Sequence, residues 1–277
     1  MANVLITGCS SGFGLLTALR FARAGDRVVA TMRRPEEAPA DLTGPIARER
    51  LPIRLDRLDV LVPASIDAAV RAAGNVDVLV NNAGIELRSS IEDASDEDVE
   101  KQFDTNVFGT LRVLRAVLPQ MRARKRGTIV NLSSVAGLVA RPFGGLYSAT
   151  KHAIEAITES LHFEASPLGI RVVLIEPGVY GTRLLDNAYP GEKFTPASPY
   201  WPIHERFEEA LGRLRDGTGG IQDPQEVADA IYDAVHDPQP KLRYLVGRDA
   251  QMIANAKKQL DFEQFEQAMR QTMDWKD

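Results

Sequence analysis

The sequence has 277 residues, a formal net charge of −5 and a single cysteine, Cys9. This length suits one α/β domain over residues 1–277, with a core large enough to need neither a disulfide nor a structural metal. The weak charge excludes a typical nucleic-acid or anionic-membrane binder, and the lone cysteine excludes an internal disulfide and favours a reducing, cytoplasmic setting.

The N-terminus, MANVLITGCSSG, enters a strand-like run directly and lacks the basic region and cleavage site of a secretory signal. No apolar run in the chain approaches the roughly 18 residues that a membrane-spanning helix requires. The sequence therefore predicts a protein without a membrane span that works in the cytoplasm.

Strand-like and helix-like segments alternate along the chain. The predicted strands are Asn3–Thr7, Arg27–Thr31, Ile53–Leu58, Val76–Asn81, Thr128–Leu132, Arg171–Ile175 and Arg243–Val246. The predicted helices are Leu15–Ala24, Ser65–Ala73, Val107–Arg124, Tyr147–Ala165 and Pro224–His236, and the charged stretch EDASDEDVEK is interpreted as a solvated helix start. Such alternation indicates right-handed βαβ connections, so we expect an α/β fold with a doubly wound, mostly parallel seven-stranded sheet of the Rossmann type and helices on both faces.

A long connection from Gly178 to Gly220 is rich in proline and aromatic residues. Connections of this length in compact domains are often functional, so we predict a substrate lid at about 178–220, with a surface loop as the alternative. The sequence next predicts a helical extension at about 248–277, in which one apolar stripe contains Phe262, Phe265, Met269 and Met273. That stripe would close the substrate cleft or meet another subunit.

A glycine-rich loop, TGCSSGFG, follows the first predicted strand. Glycines allow the backbone to approach a pyrophosphate, and the N–H groups that open the next helix can bind its oxygens. The loop is therefore a candidate dinucleotide site, with an ordinary glycine-rich turn as the alternative. Its candidate residues are Gly8, Ser10, Ser11, Gly12, Phe13 and Gly14.

The end of the second strand decides which dinucleotide is preferred. An NAD enzyme usually has an acidic residue there, but this sequence has Met32 followed by Arg33 and Arg34. Asp26 stands at the other end of the strand, about 17 Å away at roughly 3.3 Å per residue. Since guanidinium groups suit a 2′-phosphate, the sequence favours NADP(H) over NAD(H); solvated arginines are the alternative.

Tyr147 and Lys151 are four residues apart in LYSATKH, so their side chains share one face of the predicted helix. A tyrosine titrates near ~10 and is a poor base at neutral pH. An ammonium about 4 Å away supplies about 4 kcal/mol at an effective dielectric of about 20, equivalent to about three pKa units. We therefore expect Lys151 to lower the pKa of Tyr147 toward the range in which acid–base catalysis is efficient.

Several motifs together resemble the short-chain dehydrogenase/reductase family over about residues 3–182. TGCSSGFG is similar to the TGxxxGxG loop of that family, and GTIVNLSSVAG, TNVFG, YSATK and EPGVYGT follow in the family order. The resemblance implies a carbonyl–alcohol oxidoreductase. By this resemblance, Tyr147 would be the general acid and base, and Lys151 would be catalytic beside it. Ser134, rather than Ser133, would donate to the substrate oxygen. Asn106 would hold a water molecule beside the lysine.

The same resemblance implies contacts with the cofactor along the chain. Adenine would lie at Asp59 and Val60, its ribose at Asn82, Ala83 and Gly84, and the nicotinamide at Pro177, Gly178 and Val179, with Thr182 bonding the carboxamide. Lys151 would bind the nicotinamide ribose beside Tyr147. Family members commonly pair through the helices that carry Asn106 and Tyr147, which implies a homodimer or homotetramer.

TGCSSGFG, VVATMRR and KLRYLVGRDA resemble most the hydroxysteroid and retinol dehydrogenase-like branch, which implies a small-molecule substrate of the lipophilic ketone or aldehyde type. An NAD-linked alcohol dehydrogenase, a 3-oxoacyl thioester reductase and a non-catalytic nucleotide-binding redox sensor are alternatives. Cys9 and His152 are interpreted as structural residues. The remaining histidines have no metal-ligand spacing, so no metal is expected.

Overall fold

A computed structural model of the chain describes residues 1–182, 188–217 and 220–272. Met273 of the expected apolar stripe and residues 183–187 and 218–219 of the expected lid lie outside this range. Among the described residues, no helix has both the length and the apolar character needed to cross a bilayer.

The chain forms short strands that pair in parallel throughout. They are β1 (Asn3–Ile6), β2 (Arg27–Met32), β3 (Ile53–Arg57), β4 (Val78–Asn81), β5 (Leu87–Arg88), β6 (Gly127–Leu132), β7 (Ile170–Pro177), β8 (Tyr189–Pro190) and β9 (Arg243–Val246). Seven of them form one sheet in the order β3-β2-β1-β4-β6-β7-β9, while β5 and β8 pair separately. The predicted doubly wound parallel sheet is confirmed, and the ends of its strands agree with the predicted ends to within two residues.

Helices connect the strands and cover the sheet. They are α1 (Gly12–Arg23), α2 (Ala40–Glu49), α3 (Pro63–Ala73), α4 (Asp96–Phe103), α5 (Gly109–Arg124), α6 (Gly145–Ala165), α7 (Trp201–Gly217), α8 (Gln225–His236), α9 (Arg248–Gln259) and α10 (Phe262–Thr272). All five predicted helices are present. Helix α2 was not predicted, because Gly44 and Pro45 have low helix propensity. It forms nevertheless, because Leu42 and Pro45 are buried against the rest of the domain.

Two apolar clusters lie on opposite faces of the sheet. Val4 and Ile6 of β1 point into a cluster with α1 and α8, whereas Leu5 between them points into a cluster with α3 and α5. This alternation follows from the pleat of a strand, in which successive side chains leave opposite faces. Burying each such side chain contributes about 1.5–3 kcal/mol, so both faces of β1 must be covered.

The helical run from α4 to α5 contains a widened turn. Asp104–Phe108 forms one π-helical turn between the two α-helices, and the buried Asn106 lies in its middle. The charged stretch before it begins α4 as expected, because Ser95 accepts from the N–H of Asp98 in a reciprocal capping box. Turns of this kind are frequent at functional sites.

The described parts of the connection at 178–220 contain regular secondary structure. Its strand β8 pairs with β5, placing Tyr189 opposite Leu87, and its helix α7 was not predicted from the sequence. On α7, the buried Phe207 packs with Phe143 and with Met269 of α10. The expected helical extension thus contributes to the packing of this segment, with Phe265 also buried and Phe262 exposed.

The two residues interpreted from the sequence as structural, Cys9 and His152, make contacts of that kind. Cys9 is completely buried, its Sγ lies 3.4 Å from the carbonyl oxygen of Ile6, and burial raises the pKa of its thiol to about 12. His152 is exposed, with Nδ1 2.9 Å from the oxygen of Ser148. Within the described parts of the chain, no cluster of histidine, cysteine and acidic side chains is arranged to hold a metal.

Candidate active site

The glycine-rich loop lies where β1 and β4 end, at the carboxyl edge of the sheet. Gly8 has φ +74°, and a Cβ there would lie 2.9 Å from the Cα of Ala83. The amide of Asn82 donates to the oxygens of Thr7 and Gly8 at 2.9 and 3.0 Å. Only glycine permits this conformation and approach, so the segment predicted to bind the adenosine ribose also shapes the phosphate loop.

The loop leads directly into the N-terminus of α1. Ser11 precedes the helix in an extended conformation without a side-chain cap, so the first N–H groups of α1 are available to an anion. Ser10 is exposed in the same loop. The side chain of Thr182 lies against Gly12, and Phe13 contacts Tyr180 edge-on at 5.6 Å between ring centroids. The predicted phosphate and nicotinamide segments are therefore adjacent.

At the end of β2 the structure distinguishes the two arginines. Arg33 is exposed and makes no hydrogen bond or ion pair within the described residues, whereas Arg34 pairs with Glu37 at 3.0 Å. Met32 is buried, and Asp26 accepts from the N–H of Ala2 at 2.7 Å at the opposite end of the strand. The end of β2, where an NAD enzyme usually has a carboxylate, therefore carries no acidic side chain.

The two residues predicted beside the adenine follow β3. The side chain of Val60 is buried and packs against Gly109. The N–H of Asp59 donates to the hydroxyl of Ser65 at the start of α3. The Asp59 carboxylate accepts from the N–H of Leu61 at 3.0 Å. These contacts hold the turn after β3 at the same edge of the sheet as the glycine-rich loop.

Tyr147 and Lys151 lie one turn apart in α6, and both are buried. The Lys151 ammonium lies 5.6 Å from the centroid of the Tyr147 ring and donates to the main-chain oxygen of Leu132 at 2.8 Å. Leu132 is the last residue of β6, so this bond joins the tyrosine-bearing helix to the strand that leads to Ser134.

The two serines after β6 have different surroundings. The Ser134 hydroxyl is close enough to the Tyr147 phenol to lower its pKa, and it lies 3.3 Å from the oxygen of Pro177. Ser133 is also buried, but its hydroxyl lies next to Gly137. The structure thus brings Ser134, and not Ser133, together with Tyr147.

Asn106 lies behind this group and makes three hydrogen bonds. Its Oδ1 accepts from the N–H of Ile85 at 2.9 Å, and its Nδ2 donates to the oxygen of Ile85 and to the hydroxyl of Thr150 at 2.9 and 3.1 Å. Thr150 directly precedes Lys151 in α6. Asn106 therefore joins the π-helical turn, the segment after Gly84 and the helix of the candidate acid.

The expectation that Lys151 lowers the pKa of Tyr147 is wrong. Burial raises the pKa of Tyr147 above its ordinary value, and the negative charge of Glu86 raises it further. Arg141 and the hydrogen bond with Ser134 act in the opposite direction but are smaller. The cost of burying a phenolate exceeds the attraction of the Arg141 charge, so the phenol keeps its proton at neutral pH.

Lys151 itself titrates lower than an ordinary lysine. Burial lowers its pKa from 10.5 to about 8, and the charges of Glu155 and Glu86 limit that fall. Glu155 lies one turn beyond Lys151 in α6 and is also buried. The amine is therefore charged at neutral pH and begins to lose its charge within the mildly alkaline range.

Comparison with known proteins identifies the family to which the chain belongs. The family model described as short chain dehydrogenase matches residues 2–193. The chain belongs to the short-chain dehydrogenase family. Among curated short-chain relatives, it is 33% identical to a 3-ketodihydrosphingosine reductase of Bacteroides thetaiotaomicron over 96% of each chain. It is 35% identical to human 17-beta-hydroxysteroid dehydrogenase type 1, over 87% of this chain and 76% of that protein.

Solved structures of the family have the same fold. A short-chain dehydrogenase from Streptomyces avermitilis superposes with a TM-score of 0.78 at 34% identity, covering 99% of this chain and 97% of the other. A family member from Burkholderia phymatum in complex with NAD has a TM-score of 0.78 at 26% identity, with coverages of 96% and 94%. A serine dehydrogenase complexed with NADP+ has a TM-score of 0.71 at 29% identity, with coverages of 87% and 93%. Family members of this fold therefore bind either dinucleotide.

Sequence reasoning missed a charged group beside Tyr147. Glu86 is buried, and Arg141 donates to its carboxylate from the loop before α6. Arg88 approaches the same Glu86 oxygen at 3.6 Å. No local pattern signals this group, because its members come from two segments about fifty residues apart and meet only in the folded chain.

Sequence reasoning also missed Asp249, at the start of α9. Its carboxylate accepts from the N–H of Val179 and from the amide of Gln222, both at 2.7 Å. A side chain on Gly178 would collide with that carboxylate, so only glycine fits there. Asp249 thus holds the segment that the family resemblance places beside the nicotinamide. The sequence KLRYLVGRDA contains it, but nothing in that stretch indicates its partner.

Asp249→Ala is expected to weaken NADPH binding by about tenfold, because the Val179 N–H loses a charge-assisted hydrogen bond worth about 1.5–3 kcal/mol. Asp249→Asn retains an acceptor for Val179 and should recover part of the loss. The dissociation constant is measured by quenching of protein fluorescence.

Asp229→Ala is the matched control, since it removes a partly exposed carboxylate that pairs with Arg20 at 2.7 Å, away from Val179. That variant should bind NADPH as the unmodified protein does. A lower melting temperature in Asp249→Ala with unchanged NADPH affinity would contradict the positioning role.

Proposed function

We propose that this short-chain dehydrogenase is an NADP(H)-dependent oxidoreductase that interconverts a lipophilic ketone or aldehyde and its alcohol. The observation that carries the proposal is the convergence of Ser134, Tyr147 and Lys151 beside the segment 177–182 and the glycine-rich loop. These groups come from β6, α6 and β7, whose relevant ends lie at one edge of the sheet. A protein that only sensed a nucleotide would have no need of this set.

The residues present fit a dinucleotide. The close approach of Gly8 to Ala83 leaves the loop backbone open to a pyrophosphate, and the uncapped start of α1 supplies N–H groups to its oxygens. Arg33 is exposed and has no partner among the described residues, which supports NADP(H) over NAD(H), since a guanidinium binds a 2′-phosphate well. The nicotinamide ring, when bound, supplies or accepts the hydride.

In reduction, Tyr147 donates its phenolic proton to the substrate oxygen. Its raised pKa keeps that proton in place at neutral pH, so the acid is ready before substrate arrives. The hydroxyl of Ser134 orients the same substrate oxygen. Lys151, held by Leu132, places a positive charge behind the phenol and stabilises the phenolate once the proton has left. In oxidation Tyr147 takes the proton back.

The lining of the predicted lid supports a lipophilic substrate. Phe194 stacks on Phe143 at 5.7 Å between centroids and contacts Trp201 at 5.3 Å. Aromatic linings of this kind suit apolar ligands. Two relatives are named for a ketodihydrosphingosine and a hydroxysteroid, which are lipophilic molecules. NADPH oxidation with ketosteroids, retinal, aryl ketones, acetoacetyl thioesters and sugars tests this class; turnover of sugars or thioesters alone would contradict it.

We also propose a cytoplasmic homodimer or homotetramer that associates through the helices carrying Asn106 and Tyr147. Phe108, at the end of the π-helical turn, is 50% exposed, and Phe163 on α6 is 72% exposed. Large apolar side chains that are exposed on these helices support burial against another copy. Sedimentation of the protein measures the number of subunits.

Tyr147→Phe should lower kcat by about 10²–10⁴-fold, because the ring remains but the transferable proton is lost. NADPH affinity should change little. Tyr244→Phe is the control, since it removes a hydroxyl that bonds Asp237 far from the site and should retain activity. Near-normal turnover in Tyr147→Phe excludes the assigned role.

Arg33→Ala should lower the preference for NADPH over NADH by about tenfold or more, as expected for loss of a charge-assisted contact with phosphate. The ratio of kcat/KM for the two cofactors measures the preference. Arg122→Ala removes an exposed arginine on α5 and should leave the ratio unchanged. A preference for NADH in the unmodified protein would contradict the role of Arg33.

The kcat/KM for NADPH should fall as pH rises through about 8, where Lys151 loses its proton. Glu155→Gln removes a charge that raises the Lys151 pKa, so the fall should move to lower pH. Glu159→Gln is the control, because Glu159 is half exposed and, like Glu155, pairs with Arg243. If the two variants shift the profile equally, the effect does not act through Lys151.

A further inference from the structure

Two arginines beside the candidate acid share a single carboxylate. Arg141 donates to Oε1 of Glu86, and Nε of Arg88 lies 3.6 Å from the same oxygen. The Glu86 side chain is only 2% exposed. Two guanidinium groups therefore face one carboxylate in a buried setting, and one positive charge is left without a counter-charge in the group.

The Nε of Arg88 is an unsatisfied donor, although the side chain as a whole is partly exposed. Its Nε is buried from solvent and donates no hydrogen bond within the described residues, and 3.6 Å exceeds hydrogen-bond length. Buried donors in folded proteins are nearly always satisfied, and one that is not requires an explanation. A ligand oxygen that reaches this guanidinium would satisfy it.

Arg88 contacts both Glu86 and the segment of the predicted lid that follows β8. Its ion-pair partner Glu86 is close enough to Tyr147 for its charge to act on the phenol, and the charge of Arg88 itself acts on His204 of α7. Its main-chain oxygen accepts from the N–H of Gly191, which follows β8. These contacts place Arg88 next to the predicted lid and to the carboxylate of Glu86.

Aromatic side chains form the wall next to this charge. His204 contacts Phe143 and Phe194 at 5.0 and 5.1 Å between ring centroids, and Trp201 at 5.6 Å. Both ring nitrogens of His204 are buried without hydrogen-bond partners in the described structure. An apolar surface thus adjoins the Arg88 guanidinium and the pair formed by His204 and Glu208, in which Nε2 of His204 lies 3.6 Å from Oε1 of Glu208. This combination of charged and polar groups is unsuited to a purely apolar ligand.

We propose that Arg88 recognises an anionic group of the substrate, and that the substrate is a carbonyl compound with an apolar body and a carboxylate. The inference rests on the proposed function and narrows its substrate class. A carboxylate matches the planar donor fork of arginine in two parallel hydrogen bonds. The apolar body would contact Phe143, Phe194 and Trp201, and the carbonyl would reach Tyr147.

The kinetic test compares 4-oxo-4-phenylbutanoate with its methyl ester, which share a skeleton and differ in charge. With saturating NADPH, the acid should have a kcat/KM about 10- to 100-fold higher than the ester, as expected for a charge-assisted contact. Arg88→Met should bring that ratio close to one, and Arg88→Lys should give an intermediate ratio. Arg54→Met, which removes a half-exposed arginine on β3, should leave the ratio unchanged.

A binding test separates this inference from the proposed reaction. Calorimetry with protein saturated with NADP+ should show 4-phenylbutanoate binding about 10- to 100-fold more tightly than 4-phenylbutan-1-ol, and Arg88→Met should remove the difference. If the acid binds in this way but no carbonyl compound is reduced, the reaction is wrong and the anion site stands. If ketones are reduced but neither test shows an Arg88-dependent preference for the acid, the inference is overturned and the proposed function stands.

Discussion

The hydrogen bond from Lys151 to the main-chain oxygen of Leu132 holds the candidate site together. Tyr147 lies one helical turn before the lysine, and Ser134 lies two residues after Leu132. This contact and the hydrogen bond from Asn131 of β6 to Thr158 of α6 set the position of the phenol relative to the serine hydroxyl. Because Lys151 is buried, its hydrogen bond also compensates part of the cost of placing an ammonium away from water.

Burial decides the protonation of the site more than any single charge. It raises the pKa of Tyr147 and lowers that of Lys151, so each group moves toward its neutral form. Glu86, Glu155 and Arg141 then adjust these shifts through their charges. A phenol that keeps its proton suits the acid step of reduction, while a lysine that stays charged below about 8 can stabilise the phenolate formed in that step.

The last third of the chain completes a site whose main residues lie earlier. Asp249 accepts from the N–H of Val179 and thereby holds the segment after β7, while α7 brings aromatic side chains and His204 toward Arg88. One fold can host many activities, so the sheet and the glycine-rich loop do not by themselves select a substrate. The substrate class therefore follows from the surroundings of the reacting groups.

The sequence by itself determined the seven strands, the glycine-rich loop and the spacing of Tyr147 and Lys151, because each depends on local periodicity or on a short motif. Only the tertiary structure decided that residues around Gly44 and Pro45 are helical, since burial outweighs their local preference. It also decided the direction of the Tyr147 pKa. That direction depends on burial and on Glu86 and Arg141, charges that distant segments bring to the phenol only when the chain folds.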